Sequence, residues 1–108
     1  MATKKIAAPL FTTKRVVADR LSAGTTVKAM HFDETTRSIK VFCADGYTRE
    51  CRVDRLSSVE HGRKLWTLME EATKSGQALR FKSAGGFDPN KWFYDVATVE
   101  AAKDGFPF

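Results

Sequence analysis

Cationic and aromatic side chains alternate along the β-rich segments of this chain, and they are the residues with the clearest capacity for chemistry. Cations bind phosphates and aromatic rings stack on bases, so a surface that carries both suits a single strand of nucleic acid. The candidate binding residues are Arg37, Lys40, Phe42, Thr48, Arg52, Arg80, Lys82, Phe87, Lys91 and Trp92. We expect them on the outward faces of strands or in the loops beside those strands.

Phe42 is the most informative of these residues, because a large ring that points away from the core among cations can serve as a stacking platform. The alternative is that Phe42 lies beneath the N-terminal segment, which has apolar residues of its own to pack. Those residues are Leu10, Phe11, Val16 and Val17. Each basic residue, taken singly, is also an ordinary solvated strand position, so both interpretations stay open.

The charge of the chain favours a polyanionic partner. Its 18 Lys and Arg residues outnumber 13 Asp and Glu residues, for a formal net charge of +5. Residues 1–64 hold 13 of the basic and 7 of the acidic side chains, so the excess lies in that part. Such a distribution favours nucleic acid or an anionic surface, and a basic protein without any such partner is the alternative.

Catalysis is not expected, because the usual catalytic side chains do not form a motif. His31 and His61 are far apart in sequence, and their spacing to Cys43 and Cys51 matches no common zinc site. The pair Gly85-Gly86 lacks the spacing of a phosphate-binding loop. We therefore expect no enzyme, no metal and no cofactor.

The two cysteines indicate a reducing compartment. On the predicted hairpin Cys43 and Cys51 are offset by about 13 Å along the strands, whereas disulfide-bonded Cα atoms lie within about 7 Å. Reduced core thiols suit the cytoplasm. The longest uncharged apolar run, residues 6–11, is far shorter than a membrane span, so we expect no membrane partner.

The hydrophobic pattern predicts strands at 26–32, 38–43, 47–53, 77–83 and 91–99, and a helix at about 58–75 that is capped by Ser57. For the hairpin of the second and third strands we predict a three-residue turn, Ala44-Asp45-Gly46, because its register gives a more apolar buried face than a two-residue turn does. Residues 1–12 are expected to form a flexible basic arm, 13–99 a single globular domain, and 100–108 a loose tail. The fold class is α+β and mostly β.

The order of three strands, a helix and two strands over residues 25–99 resembles the OB-fold. That resemblance implies a five-stranded barrel that binds single-stranded nucleic acid or oligosaccharides, with the outer face of strands two and three meeting two loops in one groove. Other barrel-like or α+β meanders have the same order. The ending Phe106-Pro107-Phe108 resembles the tip of bacterial single-stranded DNA-binding proteins, which docks replication partners, although few acids precede it here.

The leading hypothesis is a small module that binds single-stranded nucleic acid through charge and stacking, without reading the bases. The alternative is a viral or other accessory protein–protein module that docks through its termini. Its docking residues would be Ile6, Leu10 and Phe11 at one end and Phe106, Pro107 and Phe108 at the other. A binder of small ligands or oligosaccharides in the same groove is a third possibility.

Overall fold

A computed structural model describes residues 18–106, which contain six strands and two α-helices. The elements are β1 (Arg20–Leu21), β2 (Val27–Asp33), β3 (Ser38–Cys43), β4 (Thr48–Arg52), a 3-10 turn (Val53–Arg55), α1 (Val59–Ser75), β5 (Leu79–Ser83), β6 (Asp95–Thr98) and α2 (Val99–Ala102). The class is α+β and mostly β.

The strands form two separate antiparallel sheets, ordered β2-β3-β4 and β1-β5-β6, so the prediction of a five-stranded OB-like barrel is wrong. Strand β5 pairs with β1 on one edge and with β6 on the other, which leaves it no edge for β2 or β4. Within residues 18–106 the sheets meet only at two isolated bridges, Thr25 with Leu79 and Glu50 with Trp92. Two bridges do not close a barrel.

The hairpin of β3 and β4 has the predicted register. Ile39 lies opposite Cys51 and Phe42 opposite Thr48, and Gly46 takes the left-handed conformation that the three-residue turn requires. Burial selects this register, since it turns Ile39, Val41 and Cys51 toward the core.

Helix α1 packs on this core and confirms the predicted helix, with its cap displaced by one residue. Ser58, not Ser57, is the N-cap, and its Oγ accepts a hydrogen bond from the His61 amide at 3.1 Å. Gly76 ends the helix in the left-handed conformation. Leu65, Met69 and Ala72 bury the inner side of the helix.

The predicted strand 91–99 is wrong in its first half and at its last residue. The amides of Glu50 and Phe93 donate to the carbonyls of Lys91 and Glu50, at 2.8 and 3.1 Å, so 91–93 runs along β4 instead of extending β6. The Thr98 hydroxyl then accepts from the Ala101 amide and starts α2. The predicted arm at 1–12 lies outside the described residues, and α2 overlaps the start of the segment predicted as a tail.

Cys43 and Cys51 are buried and unpaired, as predicted. Burial raises the pKa of the Cys51 thiol to about 12, and the nearby carboxylates of Asp95 and Glu50 act in the same direction. Burial also raises the pKa of Cys43, although Arg49 opposes the shift. Both thiols are therefore held in the unreactive protonated form.

We expect native Cys51 to react with a chromogenic disulfide reagent at pH 8 about a thousandfold more slowly than the same thiol in denaturant, because a pKa of about 12 leaves far less thiolate at that pH than an ordinary thiol has. The measurement is the rate of thiol release with and without urea. Two fast-reacting thiols in the folded protein would contradict the buried placement.

Candidate functional site

A row of polar and aromatic side chains crosses the outer face of the β2-β3-β4 sheet. His31 lies opposite Lys40, Lys40 opposite Glu50, and Glu50 is bridged to Trp92. Directly opposed residues of a sheet point to the same side. Phe42 and Thr48 form the neighbouring row on that side.

A cavity of about 690 Å3 opens where this face meets the segment 84–94 and the start of α1. Its volume lies within the range of sites that hold small ligands. One wall is aromatic and comes from the segment 84–94, whereas the other is polar and comes from β4 and the residues around the N-terminus of α1.

The aromatic wall carries Phe87 and Trp92, which are 51% and 39% exposed. Hydrogen bonds within the segment fix its shape: the Phe87 amide donates to the Ala84 carbonyl, and the Trp92 amide donates to the Asp88 carbonyl. Ser83 Oγ also donates to the Phe87 carbonyl at 2.8 Å. These two rings are therefore presented to solvent by a structured loop.

The Arg49 side chain links the segment 84–94 to β4 through hydrogen bonds on the buried side of the sheet. This side chain is fully buried, a rare state for arginine, and four hydrogen bonds satisfy it. Nε donates to the Pro89 carbonyl at 2.9 Å, Nη2 donates to Asn90 Oδ1 at 2.8 Å, and both terminal nitrogens donate to the Asp45 carboxylate. The guanidinium also lies 4.8 Å from the Phe81 ring centre.

This contact changes the ionisation of Asp45. Partial burial opposes the charged form, but the hydrogen bonds from Arg49 and from the Tyr47 amide outweigh it and hold the pKa of the Asp45 carboxyl below its ordinary value. The fork geometry of two parallel hydrogen bonds is the strong form of this ion pair.

The polar wall holds Arg52, Arg55, Ser57 and His61. Arg52 Nη2 lies 3.2 Å from Asp54 Oδ2, while the buried Nε of Arg52 has no hydrogen-bond partner in the part of the chain that the structure describes. Ser57 Oγ lies 3.3 Å from His61 Nδ1. Two arginines thus line the same cavity as the aromatic rings.

Glu50 also lines the cavity from β4, and it is bridged to Trp92 of the aromatic wall. Its backbone is anchored on both sides, since its amide donates to the Lys91 carbonyl and its carbonyl accepts from the Phe93 amide. The side chain is half-buried. Among residues 18–106 its carboxylate has neither a hydrogen-bond nor an ion-pair partner.

Most of the predicted binding residues lie on or beside this outer face. They are Lys40, Phe42, Thr48, Arg52, Phe87, Lys91 and Trp92, with Arg37 in the adjoining loop. Phe42 is 41% exposed, and the N-terminal segment that could cover it lies outside the described residues, apart from its last few positions. Lys40 is engaged by Asp33, with 3.3 Å between Nζ and Oδ2.

Arg80 and Lys82 lie on the other sheet, away from this row. Arg80 Nε donates to the Ser22 carbonyl at 2.8 Å, and Lys82 Nζ is 3.9 Å from the Asp19 carboxylate. The Lys82 ammonium also lies 5.4 Å from the Phe106 ring centre. The other predicted docking residues, Pro107 and Phe108 included, are outside the described part of the chain.

Among the cavity-lining residues that sequence reasoning did not select, four have titratable side chains: Glu50, Arg55, His61 and Tyr94. Glu50 could have been predicted from the alternation of side chains along β4, because the correct register places it opposite Lys40 on the outer face. The other three could not, because tertiary packing of α1 and the segment 84–94 brings them to the cavity.

Comparisons of the chain with protein-family models, curated proteins and solved structures found no match. Among residues 18–106, no helix has the length and apolar character needed to cross a bilayer. In the same range, no three His, Cys, Asp or Glu side chains are grouped as metal ligands. The candidate site is therefore identified from the side chains of the cavity and the outer face alone.

Proposed function

We propose that this chain is a non-enzymatic module that binds single-stranded nucleic acid on the outer face of the β2-β3-β4 sheet. The observation that carries the proposal is that two exposed rings, Phe87 and Trp92, line one cavity together with Arg52 and Arg55. Aromatic rings stack on bases of any sequence, and guanidinium groups pair with phosphates. The free buried thiols support a reducing compartment such as the cytoplasm.

The shape of the site favours unpaired bases over a duplex. Rings within a cavity are reached by a base that is splayed out of a strand, whereas the bases of a duplex are stacked on each other and paired. Phe42 lies two strands and two residues from Trp92, which corresponds to about 12 Å on a sheet. The two aromatic positions therefore offer room for more than one nucleotide.

We expect the affinity for a labelled single strand to fall about twentyfold between 50 and 200 mM salt. Three phosphate contacts, by Lys40, Arg52 and Arg55, would each release counterions, and single strands lose about 0.7 of a logarithmic unit per contact for each tenfold rise in salt. Fluorescence anisotropy of single-stranded and duplex probes measures this slope.

A matched duplex probe is the control. Equal, weak and salt-sensitive binding of both probes would reveal only a basic surface, and salt-independent binding would contradict the phosphate contacts. If neither probe binds at low salt, the proposal fails and docking through the termini becomes the leading hypothesis.

A further inference from the structure

We infer that the cavity reads one base of the bound strand and prefers guanine, through the Glu50 carboxylate. This inference rests on the proposed function and departs from the expectation that the bases are not read. The reason is that the negative charge of Glu50 is unfavourable in a surface that binds only phosphates.

A carboxylate repels phosphate oxygens, so Glu50 does not serve the backbone of a strand. An ionised carboxylate accepts hydrogen bonds and donates none. Glu50 is half-buried in a cavity with aromatic rings, and within residues 18–106 no donor pairs with its carboxylate. An acceptor of this kind is suited to donors that a ligand brings.

Glu50 is held beside the ring on which a base would stack. The bridge between Glu50 and Trp92 places both on the same face of adjacent segments, about 4.8 Å apart across the sheet. Both segments are fixed there by the backbone hydrogen bonds at Lys91 and Phe93. A base stacked on the Trp92 ring therefore lies within reach of the carboxylate.

The donor pattern of guanine fits a carboxylate best. Guanine presents N1–H and the N2 amino group side by side, so the two carboxylate oxygens each receive a hydrogen bond. Adenine and cytosine present one amino group next to an acceptor nitrogen. In thymine and uracil the single N3–H is flanked by two carbonyl oxygens, which repel the carboxylate.

Arginine on the polar wall complements the same base. Arg52 is two residues from Glu50 on the same strand face, and guanine O6 and N7 are the acceptors that arginine pairs with most often. When guanine occupies the cavity, Arg52 contacts this base in place of a phosphate, and Lys40 and Arg55 remain for the phosphates. Guanine is thus the base whose donors and acceptors both find partners in this cavity.

The test uses the full chain and single strands of roughly 12 nucleotides, a length within the range of known single-strand sites. Anisotropy compares a thymidine homopolymer with strands in which one central base is guanine, adenine or cytosine. We expect the guanine strand to bind about 5- to 150-fold more tightly than the homopolymer, as one good base contact provides. Adenine and cytosine are expected in between.

Glu50→Gln should abolish this preference, because the amide replaces one acceptor oxygen by a donor. Its affinity for the homopolymer should be unchanged or higher, since a negative charge near phosphates is gone. Glu71→Gln, an exposed glutamate on α1 outside the cavity, makes the same change of charge and should keep the preference.

The outcomes separate the two proposals. If all strands bind equally, or if Glu50→Gln keeps the guanine preference, this inference is overturned and the proposed function stands. If none of the strands binds, both are overturned. The base series needs no variant, so a folding defect in Glu50→Gln does not prevent the test.

Discussion

Replacing Arg49 by methionine is expected to lower the free energy of unfolding by about 3–5 kcal/mol, the range found when one partner of a buried ion pair is removed. Methionine fills much of the space left by the side chain but offers no donor. The Pro89 carbonyl and the Asn90 side-chain oxygen then lose their hydrogen bonds in the interior, and each unsatisfied group costs about 1–3 kcal/mol.

The loss of stability in Arg49→Met should be largest in the segment 84–94. Arg49 is the side chain that ties Pro89 and Asn90 to β4. Urea denaturation at pH 7 measures the change in stability, and hydrogen exchange of the Trp92 amide reports on the segment itself. Arg63→Met, at an exposed position of α1, is the matched control and should change stability by no more than about 0.5 kcal/mol.

The pH dependence gives a second measure of the same contact. The folded pKa of Asp45 is below its unfolded value near 3.9, so the ion pair stabilises the fold above that value. This stabilisation is lost as the pH falls through the folded pKa. The gap in stability between wild type and Arg49→Met should therefore narrow in acid, and a gap that widens there would contradict the role of the pair.

The hairpin that contains Arg49 could be predicted from the sequence, whereas the hydrogen bonds of Arg49 to the segment 84–94 could not. Ile39, Val41 and Cys43 alternate with Lys40 and Phe42, and burial of the more apolar face decided the register. Arg49 lies on the apolar face by the same alternation. Asp45 is near in sequence, but nothing local indicates that the other partners of Arg49 are Pro89 and Asn90, because these are about forty residues away.

The barrel prediction failed for a related reason. The order of elements is read along the chain, but closure depends on which edges pair, and the short strand Arg20–Leu21 occupies the edge of β5 that a barrel needs. Two residues carry too little periodic pattern to be recognised as a strand. The same limit applies to the cavity, whose polar wall is assembled from β4, a loop and α1.

Trp92→Ala is expected to weaken binding of single strands about 5- to 150-fold, which corresponds to the roughly 1–3 kcal/mol that a base–aromatic stack contributes. Trp92 is 39% exposed, so its removal should cost little of the core. Binding of a duplex probe at the same salt should change little, because a duplex relies on cations alone. Anisotropy titrations of the two probes measure both effects.

Phe32→Ala provides the control for Trp92→Ala. Phe32 has the same exposed fraction of 39%, but it lies opposite Ile39 and so on the other side of the sheet from Trp92. If Phe32→Ala weakens single strands as much as Trp92→Ala does, the loss reflects damage to the sheet, and the stacking interpretation is wrong.

Phe42→Ala tests whether the bound nucleic acid extends from the cavity across the outer face of the β2-β3-β4 sheet. Phe42 and Trp92 point to the same side, so a strand that follows the outer face from the cavity meets both rings. We expect Phe42→Ala to weaken a strand of roughly 12 nucleotides severalfold and to leave the binding of a dinucleotide unchanged. Equal losses for the two lengths would mean that Phe42 acts on the fold, because a dinucleotide in the cavity does not reach it.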